Sequence, residues 1–155
     1  MGNWSVRPVD PFGDTASALV RAYLHDIVSR YHGRPATEAE VDLAVADDPT
    51  DDLAGFFAAE VAGEPVGCAA FRMVTEDTIE LKRVHVLREH RGQGLGRALV
   101  EAVERAARDL GARQARLDTR SDLIEARAMY AALGYREVAP FNDDPHAHHW
   151  FGKGL

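Results

Sequence analysis

The chain has very little cysteine and no long apolar run. Cys68 is the only cysteine among the 155 residues, so an intramolecular disulfide and a zinc cluster built from cysteines are both excluded. No stretch approaches the roughly 20 consecutive apolar residues that a membrane helix needs, and the first residues show no signal-peptide pattern. These absences predict a cytoplasmic protein without a membrane partner.

Negative charge is in excess, but it is unevenly distributed. The net charge of −7 argues against a general nucleic-acid binder. Residues 1–80 carry a net charge of −10, whereas residues 81–155 carry a net charge of +3. Within 82–97, five basic side chains accompany a single acid, Glu89. Two interpretations stay open for this segment: a solvated surface, or a surface that faces an anionic ligand.

Hydrophobic spacing and turn residues predict alternating helices and strands. The predicted strands cover 4–8, 54–61, 66–74, 78–86, 114–118, 135–138 and 148–153. The predicted helices cover 14–31, 38–46, 95–110 and 123–133. The order β-α-α-β-β-β-α-β-α-β-β is typical of an α/β domain with a mixed, mostly antiparallel sheet of seven strands flanked by about four helices.

Local signals are expected to fix three of the helix ends. Asp14 is predicted to cap the first helix, and the Thr37-Glu38-Ala39-Glu40 segment has the pattern of a capping box at the start of the second. Gly111 is predicted to end the third helix in the left-handed conformation. The acidic run at 47–52 is predicted to be a loop.

A glycine-rich segment, Arg91-Gly92-Gln93-Gly94-Leu95-Gly96-Arg97, lies between a predicted strand and a predicted helix. Glycine allows the backbone to approach a ligand closely, and the first turn of a helix presents free N–H groups and a positive dipole end. The segment therefore predicts a pyrophosphate site. It fits neither a P-loop nor a dinucleotide-binding fingerprint, whose third glycine would fall on Arg97 or Leu99.

The segment 91–96 resembles the Arg/Gln-x-x-Gly-x-Gly/Ala motif of the GCN5-related N-acetyltransferase (GNAT) superfamily. Residues 80–86 resemble the fourth strand of that fold, and the Ala-x-x-x-Tyr-x-x-x-Gly-Tyr pattern at 126–135 resembles the elements that close its cofactor cleft. The likeness covers nearly the whole chain. It implies one acetyltransferase domain over 1–155, with a cofactor-binding core at about 78–135, that binds acetyl-CoA and transfers the acetyl group to a primary amine by direct attack.

The resemblance also implies a set of cofactor contacts. Backbone N–H groups of the glycine segment would hold the pyrophosphate, and the backbone of Val84 and Val86 would pair with the pantetheine arm as an added strand does. The residues expected along acetyl-CoA are Val84, His85, Val86, Arg91, Gly92, Gln93, Gly94, Leu95, Gly96, Arg97, Leu123 and Ala126. Strand alternation turns the side chain of His85 away from that of its neighbours. Leu123 stands where many members have Asn, so either a side-chain contact to the cofactor is lost there or Asp122 or Ser121 substitutes.

Two residues are candidates for proton transfer. Tyr130 matches the family tyrosine, and a phenol that keeps its proton at pH 7 is suited to protonate the leaving thiolate. The alternative for Tyr130 is an aromatic side chain that packs the helix against the sheet. Glu80 is the candidate general base, with burial expected to raise the pKa of its carboxyl. A purely structural ion pair at Glu80 and a chain of waters as the base both stay open. Cys68 is interpreted as a small core residue, with a covalent role as a minor alternative.

The acceptor site is predicted more loosely. From the resemblance, the first two helices and the last strands would form its walls, which suggests Tyr31, Asn142, His149 and Trp150. His146, His148 and His149 match no metal-ligand spacing, so no metal is predicted.

The class of acceptor stays open at this stage. Aspartates at 47, 48, 51 and 52 favour a cationic amine, whereas Arg34 and Arg136 would favour a carboxylate-bearing acceptor. A non-catalytic acyl-CoA-binding or sensor module remains the alternative function. The resemblance is also compatible with a homodimer.

Overall fold

The computed structural model describes residues 3–47 and 51–155, in which seven strands and four helices follow one another. The strands are β1 (Trp4–Pro8), β2 (Leu53–Val61), β3 (Glu64–Met73), β4 (Thr78–Val86), β5 (Gln114–Thr119), β6 (Arg136–Glu137) and β7 (His149–Gly154). The helices are α1 (Asp14–His32), α2 (Glu38–Asp47), α3 (Leu95–Asp109) and α4 (Ile124–Ala132), and a short 3₁₀ turn lies at Arg88–His90.

The seven strands form one sheet in the order β1-β2-β3-β4-β5-β7-β6. All neighbouring strands are antiparallel except β4 and β5, which run parallel. These two strands pair only from Thr78–Gln114 to Glu80–Arg116. Beyond that point β4 continues to Val86 and β5 to Thr119 without pairing to each other, so the sheet opens in its middle.

Helices cover both faces of the sheet because neighbouring strand residues point to opposite sides. On one face, Leu95, Leu99 and Val103 of α3 and Tyr130 of α4 pack against the sheet. On the other face, apolar residues of α1 pack against β2 and β3. The opening between β4 and β5 thus lies between α1 on one side and the α3–α4 layer on the other.

The capping box is confirmed at the start of α2. The backbone N–H of Glu40 donates to Thr37 Oγ1 (3.2 Å), and the backbone N–H of Thr37 donates to Glu40 Oε1 (2.9 Å). Hydrogen bonds from Arg34 and from Thr37 hold the pKa of Glu40 well below its usual range. Gly111 follows α3 with a φ of +93°, as predicted.

The prediction that Asp14 caps α1 is wrong. Gly13 occupies the cap position without a side-chain hydrogen bond, and Asp14 is the first helical residue. Its carboxylate still lies in the first turn, where the helix dipole favours negative charge. The predicted loop at 47–52 is described only at its ends, since residues 48–50 lie outside the described part of the chain.

None of the helices within 3–47 and 51–155 has the length and apolar character required to cross a membrane.

Candidate active site

The opening between β4 and β5 forms a cleft of about 310 Å³. Tyr23, Asp26 and Ile27 of α1 line one side, and Ala126 and Met129 of α4 line the other. The cleft brings together all the residues expected along the cofactor except Gln93, whose side chain is exposed in the glycine turn: Val84, His85, Val86, Arg91, Gly92, Gly94, Leu95, Gly96, Arg97, Leu123 and Ala126.

The glycine turn presents backbone to this cleft. Gly92 and Gly94 have φ values of +79° and +87°, and a Cβ on either would meet nothing within 4 Å. Gly94 is the N-cap of α3, so the N–H groups of the helix's first turn point out of the helix end. That turn carries no acidic residue. The arrangement fits an anionic ligand such as a pyrophosphate.

Gly96 has a different role from the two glycines before it. A Cβ at this position would lie 2.9 Å from Met129 Sδ, so its absence allows the start of α3 to lie close against α4.

β4 offers an open edge to the cleft. Arg83 has a φ of +53°, and the pairing with β3 shifts register between Cys68 and Ala70, which makes a bulge in β4. A non-glycine residue in this conformation is strained by about 1–3 kcal/mol and is held there by its surroundings. The bulge turns the last part of β4, including Val84 and Val86, along the cleft.

Arg91 links the glycine turn to β4 and α1 by hydrogen bonds. Its Nε donates to the carbonyl oxygen of Val86 (2.8 Å), and its Nη2 donates to Asp26 Oδ2 (3.0 Å). His85 Nε2 lies 3.2 Å from the same carboxylate oxygen. Burial alone would raise the pKa of Asp26, but Arg30, Arg91 and His85 hold it below its usual value. The guanidinium of Arg91, a residue expected along acetyl-CoA, is thus bound by the Asp26 carboxylate.

His85 is buried against α1 and makes an edge-to-face contact with the Tyr23 ring, with 5.6 Å between centroids. Burial lowers the pKa of His85 in spite of the nearby Asp26 carboxylate. Its side chain packs, as strand alternation predicts.

A second pocket of about 500 Å³ adjoins the cleft, and we call it the acceptor pocket. Tyr23 and Ile27 line both cavities, so the two meet at this part of α1. Tyr31 and His32 line the acceptor pocket, and the Tyr31 ring contacts that of His146 (5.8 Å between centroids). Three aspartates contribute carboxylates to its walls: Asp47, Asp118 and Asp144.

Glu80 also lines the acceptor pocket, but its environment differs from the predicted one. Its side chain is 3% exposed. Arg72 Nη2 (3.3 Å) and Arg116 Nε (3.1 Å) donate to Oε1, and Lys82 Nζ lies 3.3 Å from Oε2. The expectation of a raised pKa is wrong: burial acts in that direction, but the three cations lower the pKa of Glu80 below its usual value.

Asp118 is held by two residues that were expected to contact the acceptor themselves. Trp150 Nε1 donates to Asn142 Oδ1 (3.1 Å), and Asn142 Nδ2 donates to Asp118 Oδ2 (2.8 Å). Asp118 lines the acceptor pocket, whereas Asn142 and Trp150 are not among its lining residues. His149 lies apart, with Nδ1 3.5 Å from Glu137 Oε1.

Tyr130 is 5% exposed, and its ring packs against Tyr135 and Phe151. Burial raises the pKa of its phenol, and Tyr23 and the charge of Asp118 raise it further. The phenol therefore stays protonated at neutral pH, which an acid requires. Tyr130 is not among the residues that line the cleft or the acceptor pocket, although Ala126 and Met129 of the same helix line the cleft.

The residues expected to replace the missing family asparagine are engaged elsewhere. Leu123 lines the cleft as the N-cap of α4. The Asp122 carboxylate binds the Arg120 guanidinium at 2.6 and 2.9 Å, and the backbone N–H of Ser121 donates to His148 Nδ1 (3.0 Å). The cleft wall at this point is the apolar Leu123 side chain.

Cys68 is fully buried, with Sγ 3.1 Å from the carbonyl oxygen of Arg83. Burial raises the pKa of the thiol to about 12. A thiolate is therefore scarce at neutral pH, which argues against a covalent role.

Similarity to known proteins identifies the family of this chain. The profile of the acetyltransferase (GNAT) family matches residues 21–135. The chain belongs to this family. Among curated GNAT relatives, N-acetyltransferase 8B of Homo sapiens is 32% identical over 111 residues, which cover 63% of this chain and 49% of the relative. The chain thus spans about half the length of that human protein.

A bacterial relative is covered more fully. Aminoglycoside N(6')-acetyltransferase type 1 of Stenotrophomonas maltophilia is 33% identical over 111 residues, which cover 60% of this GNAT chain and 72% of the relative.

Solved structures share the fold over nearly the whole chain. A candidate acyl-CoA N-acyltransferase from Klebsiella pneumoniae superposes with a TM-score of 0.74 at 28% identity, covering 98% of this chain and 97% of that one. PaiA N-acetyltransferase from Thermoplasma acidophilum, solved with coenzyme A, gives a TM-score of 0.75 at 14% identity and covers 98% and 99% of the two chains. The second likeness shows the fold alone.

Two residues of this GNAT site, Tyr23 and Asp118, were not predicted from the sequence. Tyr23 fits the apolar spacing of α1, so nothing in the sequence separates it from ordinary helix packing. Asp118 ends a predicted strand, and its position there was a usable signal. Its contact with Asn142 depends on β5 pairing with β7, which the sequence does not specify.

Proposed function

We propose that this protein transfers the acetyl group of acetyl-CoA to a primary amine of a small molecule or peptide by direct attack. The observation that carries this proposal is the junction of two cavities at Tyr23 and Ile27. One cavity has an open strand edge and a helix N-terminus. The other is lined by four carboxylates, those of Asp47, Glu80, Asp118 and Asp144, and by the cations Lys82, Arg83 and Arg120. A thioester from the first and an amine from the second would meet at this junction.

The residues of the cleft fit acetyl-CoA. The turn at Gly92 and Gly94 leads into a helix N-terminus suited to the pyrophosphate, and Arg97 adds a positive charge beside it. The edge of β4 near Val84 offers backbone groups to the pantetheine amides. Acetyl-CoA supplies an activated acyl group as a thioester, and the family match supports it as the cosubstrate.

Tyr130 is proposed as the acid that protonates the departing thiolate. Its buried phenol has a raised pKa and therefore holds its proton at neutral pH. Glu80 is proposed to order Arg72, Lys82 and Arg116 instead of acting directly as the base, because those cations make it a weak base.

The carboxylates of the acceptor pocket favour a cationic amine over a carboxylate-bearing acceptor. Arg34, which would clamp an acceptor carboxylate, already binds both oxygens of Glu40 at 2.9 and 2.8 Å. A relative that bears the name of an aminoglycoside acetyltransferase supports the same class of acceptor.

The first test is thermal unfolding with acetyl-CoA and, as a control, NAD. Ligand at about 100 times its Kd should stabilise the protein by ~2.7 kcal/mol. Release of free thiol is then followed with spermidine, kanamycin and a peptide with a free N-terminus. We expect a melting shift with acetyl-CoA alone and thiol release with at least one amine. A shift without thiol release would favour the non-catalytic module, and no shift would contradict acetyl-CoA binding.

A further inference from the structure

Asp118 lies just past the point where β4 and β5 separate. The last paired residues are Glu80 and Arg116, and Asp118 is two positions further along β5 on the same side as Arg116. Its side chain is half-buried and lines the acceptor pocket. A carboxylate at this position faces both the gap between the strands and the cavity that would hold the amine.

Two neighbours fix the orientation of this carboxylate. The indole N–H of Trp150 can only donate, so it sets Oδ1 of Asn142 as the acceptor and leaves Nδ2 to donate to Asp118. The contact engages one carboxylate oxygen, Oδ2, at 2.8 Å. The Asp118 side chain is thereby oriented by a hydrogen-bonded relay that begins on β7.

The pocket holds two strand carboxylates whose surroundings act in opposite directions. Three cations stabilise the charge of Glu80 and lower its pKa. Burial raises the pKa of Asp118, the Glu80 and Asp144 charges add to that effect, and the Asn142 hydrogen bond and Lys82 oppose it. Carboxylates separated in this way commonly divide their roles, and the one with the raised pKa is better suited to exchange protons near neutral pH.

The charge of Asp118 also reaches the Tyr130 phenol, where it raises the pKa. Asp118 and Tyr23 line the acceptor pocket together, and Ala126 and Met129, which lie on α4 with Tyr130, line the adjoining cleft.

We infer that Asp118 receives the ammonium group of the acceptor and takes its proton, with Asn142 and Trp150 as positioning residues. This inference rests on the proposed amine acetyltransferase function. The ammonium gives one proton to Asp118, and the nitrogen lone pair then forms the C–N bond as the C–S bond breaks. Tyr130 gives its proton to the thiolate and regains one from the nitrogen, and Asp118 releases its proton to solvent.

The test compares Asp118→Asn with Asp109→Asn, which removes the same charge from the exposed end of α3. Each variant is assayed for acetyl-CoA affinity and for thiol release with spermidine, kanamycin and the peptide amine. Loss of a general base lowers the rate by about 10²–10⁴-fold. We expect a loss of that size in kcat/KM for the amine in Asp118→Asn, with acetyl-CoA affinity unchanged and Asp109→Asn like the parent.

The positioning role has its own readout in the pH dependence of kcat/KM. Asn142→Ala removes the hydrogen bond that lowers the pKa of Asp118, so the acid limb of the profile should move to higher pH. Trp150→Phe keeps the ring and removes only the N–H donor, and should give a smaller shift in the same direction. A purely structural role would lower the rate and leave the limb in place.

The possible failures can be distinguished. If Asp118→Asn retains kcat/KM within threefold of the parent, this inference is overturned and the acetyltransferase proposal stands. If the parent protein binds acetyl-CoA and acetylates none of the amines, both are overturned. If Asp118→Asn does not fold, the Asn142→Ala profile decides, and an unmoved acid limb overturns the inference.

Discussion

Glu80 brings together side chains from three strands at a single buried carboxylate. Arg72 lies on β3, Lys82 on β4 and Arg116 on β5, and all three contact Glu80. Glu80→Gln keeps the shape of the side chain but leaves these cations without a buried anion. We expect a loss of about 2–3 kcal/mol in the free energy of unfolding at pH 7, the usual effect of losing hydrogen bonds to a charged group. Urea unfolding measures it, with Glu64→Gln on the exposed start of β3 as the control.

The difference in unfolding free energy between the parent and Glu80→Gln should depend on pH. The pKa of Glu80 is lower in the folded protein than in the unfolded chain, so its contribution to stability is present above the unfolded pKa of about 4.3 and is lost as the pH falls through the folded pKa. The stability gap between parent and Glu80→Gln should therefore close in acid. A gap that stays constant from pH 7 to pH 3 would contradict the cation cluster. An acid limb of the rate profile unchanged in Glu80→Gln would separate this structural role from that of a base, because a general base is lost by protonation as the pH falls.

Single-residue predictions from the sequence succeed where the partner lies nearby in the chain. The reciprocal bonds of Thr37 and Glu40 are confirmed because both residues belong to one helical turn. The pKa of Glu80 is mispredicted because two of its three cations, Arg72 and Arg116, come from other strands, 8 and 36 positions away. Asp118 is similar, since Asn142 is 24 positions away.

The glycine turn at the start of α3 can be tested against the glycine at the end of the same helix. Gly94 and Gly111 have φ values of +87° and +93°, and a Cβ at either meets nothing within 4 Å. Alanine at either position should destabilise the protein by about 1–2 kcal/mol, because L-residues are strained in this conformation. Only Gly94→Ala should also weaken acetyl-CoA binding, by roughly tenfold, which corresponds to about 1.4 kcal/mol.

Calorimetric titration with acetyl-CoA measures that difference, and urea unfolding confirms the matched loss of stability. Equal affinities in the two variants would mean that the pyrophosphate does not bind at the start of α3.

Helices and strands are predicted well where the signals that define them lie within their own residues. The helices α2 and α3 and the strands β2 to β5 lie close to their predicted bounds. β6 is reduced to Arg136–Glu137, shorter than the predicted 135–138, because its pairing depends on β7. The cap residue of α1 was misassigned because glycine at the cap leaves no side-chain signal.

An ion pair joins the two walls of the cofactor cleft. Arg30 Nη1 on α1 lies 2.7 Å from Glu125 Oε1 on α4, and both side chains are partly exposed. Such a pair contributes about 0.2–1 kcal/mol, so Glu125→Gln should change stability very little. If the pair must break to admit acetyl-CoA, the association rate should rise by about two- to fivefold at low salt, as a barrier lower by 0.5–1 kcal/mol implies.

Stopped-flow binding at low and high salt measures this rate. Glu38→Gln, which breaks a pair with Arg21 at the α1–α2 contact, is the control. Equal association rates for Glu125→Gln and the parent would show that this ion pair does not limit entry.

At the scale of the whole molecule, the resemblance predicted more than the residue pattern did. Periodicity alone predicts a mixed sheet, and the glycine pattern predicts an anion-binding turn. The GNAT likeness adds the cofactor cleft, and the family match confirms the membership. The β5-β7-β6 order could not be read from the sequence, since β6 is short and β7 inserts between its neighbours. A homodimer stays a prediction.

The unpaired stretch of β4 has a consequence for solubility. An exposed strand edge normally invites strands from other molecules and so promotes aggregation. Here the edge lies inside the cleft, with α1 on one side and α4 on the other. A slender ligand arm can reach it, whereas the twisted edge of another sheet would collide with the helices. The protein can thus keep backbone groups available for binding without exposing a seed for fibrils.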